Sequence, residues 1–176
     1  MSLRSFSFIL LLFFSGCSMA ANTKIVYGYV EKATLVDKGM VLSAKLDTGA
    51  KSASLSAINI NEIVQNGKTY LHFTVLGKKE QMEFTAEYLG KVKIKARAGE
   101  NQSPQNKIAS IRRPVVLMTV QIGDKIRKIP VNLTNRKRFN YPLLLGRDAI
   151  IAFDGLIDPS HAFLIKSQQV KENEVK

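Results

Sequence analysis

The sequence predicts a mostly β domain with one short helix near its C-terminus. Period-two alternation of apolar and polar residues dominates, clearest where Lys91, Lys93, Lys95 and Arg97 interleave with Val92, Ile94, Ala96 and Ala98. That period suits strands with one wet face. Turn pairs, Asn66-Gly67 and Gly123-Asp124, fall between apolar runs as hairpin connections do. Only Arg147 to Phe153 reads as helix, and it is short.

Taken in order, Ile25 to Val30 is a first strand, apolar and aromatic, with Gly28 placed for a bulge. Asp37-Lys38-Gly39 turns the chain into the strand Met40 to Leu46. Ser52 to Ile58 alternates small polar with apolar residues and reads as a half-buried strand. Asn66-Gly67 then joins Ile63-Val64 to Tyr70–Leu76, and Gly77-Lys78-Lys79 turns the chain into a strand running from Gln81 to Ala98. Gly99 to Asn106, polar with Gly and Pro, is the most loop-like stretch and a candidate flap. Ile111–Ile122 and Lys125–Leu133 form another hairpin. Leu143 to Leu145 is a short buried strand ahead of the helix. Asp158-Pro159-Ser160 turns into a last strand, His161 to Ile165.

Composition is that of an ordinary globular protein, 45% hydrophobic and 23% charged, in a chain of 176 residues. That length supports one core plus a leader. A net charge of +12 points to an acidic substrate, an anionic envelope surface or nucleic acid. Aromatic interleaving of the kind single-strand binders use is sparse, so no nucleic acid is expected. The run Phe6 to Phe14 is too short to cross a bilayer as a helix but suits a signal-peptide core. It leads into Phe14-Ser15-Gly16-Cys17, which resembles a bacterial lipobox, and Cys17 is the sole cysteine. Ser18-Met19-Ala20 offers a rival cleavage site. The division expected is a signal peptide over 1–16, a tether over 17–23, the folded domain over 24–168 and a charged, disordered tail over 169–176. Export to the periplasmic side of the outer membrane as a lipoprotein is the location expected, with a soluble periplasmic or secreted form as the alternative.

The chemistry gathers at Lys45-Leu46-Asp47-Thr48-Gly49-Ala50, where an apolar strand delivers one carboxylate beside a hydroxyl and a glycine. The glycine permits close backbone approach and the Thr48 hydroxyl can donate to a carbonyl. By itself the triplet also fits an ordinary turn. A second stretch, Leu144-Leu145-Gly146-Arg147-Asp148, stands near the far end. Together the two resemble the retropepsin-like aspartic peptidases, whose single Asp-Thr/Ser-Gly is followed later by a hydrophobic-hydrophobic-Gly segment and a short helix. Asp47 to Ser52, Arg113-Pro114-Val115-Val116 and Asn135-Arg136 add a likeness to a bacterial branch often labelled "ATP-dependent zinc protease". The likeness runs from Lys24 to Ile165.

That resemblance implies a retropepsin-like acid-protease barrel and a homodimeric aspartic endopeptidase acting on peptide or protein substrates without cofactor or metal. Asp47, Thr48 and Gly49 would be the catalytic residues, Ala50 and Lys51 substrate contacts, and Leu144, Leu145, Gly146 and Arg147 the support of the active loop. Hydrolysis by carboxylates takes two of them sharing a proton, and only one Asp-Thr-Gly occurs, so the second Asp47 would come from a twofold-related copy. Thr48 would bridge the two loops. Lys51 stands where viral members carry an acid, which leaves Arg147 needing another partner, Asp148 of the same or the other subunit being the candidate. Asp154 and Asp158 sit in Asp-Gly and Asp-Pro turns and rank below Asp47 as acids. Two histidines, no H-E-x-x-H and no phosphate-binding glycine loop give zinc and ATP no footing. A catalytically silent envelope module, holding peptides or anionic polymers in the same cleft, is the competing reading.

Overall fold

A computed structural model describes residues 23–95 and 110–165. It contains ten strands: β1 (Ile25–Gly28), β2 (Val30–Leu35), β3 (Met40–Leu46), β4 (Ala53–Gln65), β5 (Lys68–Leu76), β6 (Gln81–Lys95), β7 (Ser110–Ile122), β8 (Lys125–Thr134), β9 (Leu143–Leu145) and β10 (Gly155–Asp158). One helix, α1 (Arg147–Ala152), and a 3-10 turn at Val36–Lys38 complete the described elements. Following the pairings from β2 through β3, β9, β4, β8 and β7 returns to β2, a closed circuit. A second circuit adds β5 and β6 between β4 and β7. The fold is thus the mostly β, acid-protease-type barrel that the sequence predicts.

The alternation of β3 explains its place. Met40, Leu42, Ala44 and Leu46 are buried, whereas Val41 is exposed and Ser43 and Lys45 are half-buried. Period two therefore points one face at the core and leaves Lys45 on the other. The core is continuous across both circuits, with Phe73 and Phe84 stacked at 6.2 Å and Leu55, Leu133, Leu143 and Met118 fully buried. At the Asn66-Gly67 turn both residues have positive φ, 52° and 75°, as the tight hairpin between β4 and β5 requires.

Several boundaries differ from the sequence reading. Strand β4 runs unbroken from Ala53 to Gln65 around an irregularity between Ile58 and Asn61. Its first half is not half-buried: Ser54 and Ser56 are buried as well as Ala53, Leu55 and Ala57, because β8 and β9 flank it on both edges. The first predicted strand breaks after Gly28. A Cβ there would lie 2.6 Å from His161 O and 2.9 Å from Ala162 Cα, so a distant segment presses on the backbone and the chain changes sheet.

The last strand is not His161–Ile165. Among the described residues it is β10, which pairs in parallel with β1 from Ile25↔Gly155 to Gly28↔Asp158. Residues 161–165 instead lie irregularly against the β1–β2 junction, Phe163 at φ 57°. Tyr29 N–H donates to His161 O at 2.9 Å and Phe163 N–H to Val30 O at 2.7 Å. Glu31, fully buried, accepts from the N–H groups of Gly28 (2.7 Å), Leu164 (3.0 Å) and Ile165 (3.3 Å). A side-chain carboxylate thus replaces the ladder that a strand would have used. The predicted leader, Cys17, Ala96 to Ala98, the Gly99–Asn106 loop and the charged tail lie outside the described residues.

Candidate active site

Strand β3 ends at Leu46 and delivers Asp47 into a tight turn in which Ala50 N–H donates to Asp47 O at 3.2 Å. Strand β9 lies between the strands on either side of that turn, parallel to β3 (Leu46↔Leu145) and antiparallel to β4 (Ser54↔Leu144). Asp47 N–H donates to Leu145 O at 2.9 Å, Arg147 N–H to Ala50 O at 2.9 Å and Asp148 N–H to Lys51 O at 3.1 Å. Gly146 sits so close that a Cβ would meet Lys51 O at 2.6 Å. The turn is therefore pinned at its entry by Leu145 and at its exit by the first residues of α1.

Within the turn, Gly49 N–H donates to Asp47 Oδ1 at 3.0 Å, fixing the carboxylate. The other oxygen, Oδ2, lies 3.5 Å from Lys45 Nζ. Thr48 is exposed at the tip, and its carbonyl accepts from Arg147 Nη1 at 3.0 Å. Arg147 thus takes a backbone carbonyl of the active loop, and not Asp148 of the same chain, as its partner.

The turn opens onto a cleft of about 900 Å³. Asp47, Gly49, Ala50, Lys51 and Leu144 line it, as do Lys45, Lys93, Arg113 and Arg136. Among the described lining residues Asp47 is the one carboxylate against these five cations. Arg136, only 6% exposed, donates through Nε to Tyr141 O at 3.2 Å and stacks over Phe139 at 4.4 Å. Burial, then repulsion from Arg113, pushes its guanidinium down to about 10, opposed by the nearby Asp47. Arginine so placed remains charged in the neutral range. Two polar atoms in the cleft wall, Ser54 Oγ and Arg113 Nε, are buried without a hydrogen-bond partner among the described residues. Such atoms are costly unless something fills them.

Other ionisable groups lie elsewhere. Asp154 pairs with Lys125 (2.7 Å) and Arg127 (3.3 Å) at the end of α1. Asp158 is bound by Ser160 and His161, and His72 by Glu83 and Thr85. Among the described residues no group of three or more His, Cys, Asp and Glu side chains converges as metal ligands. The sequence reading assigned no role to Lys45, Arg113, Arg136 or Tyr29, which also lines the cleft. The first three stood inside the quoted motif stretches. Each is a single cation in its own stretch, and only the fold shows that they meet.

Comparisons with known proteins give a family model, a solved structure and larger relatives with a different name. A family model described as "RimB-like: Retropepsin-like aspartic endopeptidase RimB" matches residues 26–168. A crystal structure of the Legionella pneumophila protein Lpg0085, described as of unknown function (DUF785), is 56% identical with a TM-score of 0.70, covering 82% of this chain and 100% of its own. Proteins named "Probable alpha-L-glutamate ligase" from Shewanella pealeana and Shewanella halifaxensis are 25% and 26% identical over 82% and 88% of this chain. The chain spans 31% and 32% of the length of those two relatives.

Proposed function

Because the chain belongs to the RimB-like family of retropepsin-like aspartic endopeptidases, we propose that two copies form a homodimeric peptidase with one Asp47 from each. One carboxylate takes a proton from the attacking water while the other, protonated, donates to the scissile carbonyl oxygen. Thr48 and Gly49 hold the paired loops, and Ala50 and Lys51 meet the substrate backbone. Leu144, Leu145, Gly146 and Arg147 keep the turn in place.

The observation that carries this reading is a carboxylate clamped by Gly49 N–H, the one acid among the described lining residues of a cleft that also holds five cations. The same charge pattern indicates the substrate class. Lys45, Lys51, Lys93, Arg113 and Arg136 suit a peptide rich in acidic side chains. The name "glutamate ligase" carried by larger relatives is compatible with glutamate-rich peptides as that class. A lipid on Cys17 would hold the enzyme on the periplasmic side of the outer membrane, and fractionation of cells carrying wild type or Cys17→Ser tests that placement.

The test of function is cleavage of a glutamate-rich peptide and its glutamine counterpart between pH about 4 and 7, the range suited to a shared-proton pair. Wild type is expected to cut the acidic peptide in a pepstatin-sensitive manner. Asp47→Asn should stay folded and dimeric but inactive. An Asp47→Asn protein as active as wild type would overturn the mechanism. Tight binding of the acidic peptide with no cleavage would identify the silent module instead.

A further inference from the structure

Of the five cations in the cleft, Lys45 is the one within ion-pair distance of Asp47 among the described residues, Nζ to Oδ2 at 3.5 Å. The contact follows from the strand. Lys45 lies on the face of β3 that turns away from the core, held between Val30 and Leu144 by register, and Asp47 follows two residues on, just past the end of the strand at Leu46. Oδ1 of Asp47 is already taken by Gly49 N–H. Oδ2 is the oxygen left for water or for a second carboxylate, and an ammonium on it competes with both.

The two arginines are less able to move. Arg136 is buried, bonded to Tyr141 O and stacked on Phe139, and Arg113 Nη1 lies 3.5 Å from Asn132 Oδ1. The Lys45 side chain is 45% exposed on a flexible four-carbon stem, as mobile in kind as the exposed Lys51 and Lys93, but among the described residues it is the one that reaches Asp47. Since no carboxylate besides Asp47 lines the described cleft, an acidic side chain on an incoming peptide supplies a new partner able to draw the ammonium away.

We propose that Lys45 exchanges partners during turnover, neutralising Asp47 in the empty cleft and pairing with an acidic side chain of the bound peptide. This rests on the peptidase reading above and adds a specificity device to it. An acidic peptide binds and, in binding, releases Oδ2 for the chemistry. A neutral peptide of the same shape enters a cleft whose Asp47 stays engaged. Discrimination therefore appears in kcat as well as in KM, which a passive anion-binding lysine would not produce.

The experiment uses the full chain as wild type, Lys45→Met and Lys45→Arg, with a fluorogenic peptide carrying glutamate on both sides of the cleavage point and its glutamine isostere. Wild type should prefer the glutamate peptide in both kcat and KM. Lys45→Met should lower that preference about tenfold, the scale of one partly screened charge pair. It should also raise kcat on the glutamine peptide, because Oδ2 is no longer engaged. Lys45→Arg should keep the preference, and melting temperatures of all three should agree. If Lys45→Met leaves the glutamate-to-glutamine ratio unchanged, slows both peptides alike, or alters KM alone, partner exchange is wrong while the peptidase reading survives. A wild-type chain that cuts neither peptide overturns both.

Discussion

Replacing Gly146 by alanine tests how tightly the active turn is held. The backbone there, φ −82° and ψ −177°, is open to alanine, so conformational preference plays no part. The difficulty is space. The added methyl would stand 2.6 Å from Lys51 O and 2.7 Å from both Lys51 C and Ser52 O, all backbone atoms. Ordinary contact requires a retreat of roughly 0.7 Å. Lys51 O is also the acceptor for Asp148 N–H at 3.1 Å, and Ala50 O next to it binds Arg147 N–H at 2.9 Å. A retreat of that size stretches both bonds past useful length. Overpacking at about 1–3 kcal/mol and two weakened hydrogen bonds at about 1 kcal/mol each give a loss of roughly 3–5 kcal/mol. For a domain of this size that lowers the melting temperature by roughly 6–20 °C. Displacement of Asp47 by a fraction of an ångström should cost up to about 100-fold in cleavage where the protein still folds. Thermal unfolding followed by circular dichroism, alongside peptide cleavage at a temperature where both proteins are folded, reads the two effects. A Gly146→Ala protein melting within about 2 °C of wild type and cutting at the wild-type rate would refute the close-approach argument.

Glu31→Gln puts an amide donor against N–H groups that now share a carboxylate, and is expected to cost roughly 2–4 kcal/mol. Hydrogen exchange at Leu164 and Ile165 should quicken; unchanged exchange at both amides would show that Glu31 does not hold that segment. Asp158→Asn tests a pH-dependent contribution. The hydroxyl and amide of Ser160, with His161, hold the Asp158 carboxyl down to about 2. A carboxylate depressed on folding stabilises the protein above its unfolded value, near 3.9, and loses that contribution as the pH falls through the folded one. The gap in melting temperature between wild type and Asp158→Asn should therefore be complete above pH about 4 and close toward pH about 2. An equal gap at pH 2 and pH 6 would contradict it.

Much of the architecture was legible because it is locally encoded. Strand β3 announces itself by alternation, the β4–β5 hairpin by Asn66-Gly67, and α1 by the residues after Gly146. What escaped depends on distant chain. Nothing near Gly28 says that His161 and Ala162 will press on it, and Glu31 falls just past the predicted first strand, in the stretch where β2 forms but the sequence predicts no element. Its three N–H partners include two that are 133 and 134 residues away. The Asp47 turn could be recognised from its own letters together with Leu144 to Arg147. The cations facing it could not, since Lys45, Lys93, Arg113 and Arg136 come from strands β3, β6 and β7 and the segment after β8.

The three-residue strand β9 carries a consequence for the order of assembly. Its insertion between β3 and β4 joins parts of the chain about a hundred positions apart, and such contacts form late because a long loop must close first. Until Leu145 arrives, Asp47 N–H has no acceptor and the turn lacks its clamp. A nascent or truncated chain ending before residue 143 would carry the acid without the frame that orients it, so competence for chemistry would come only with completion of the barrel.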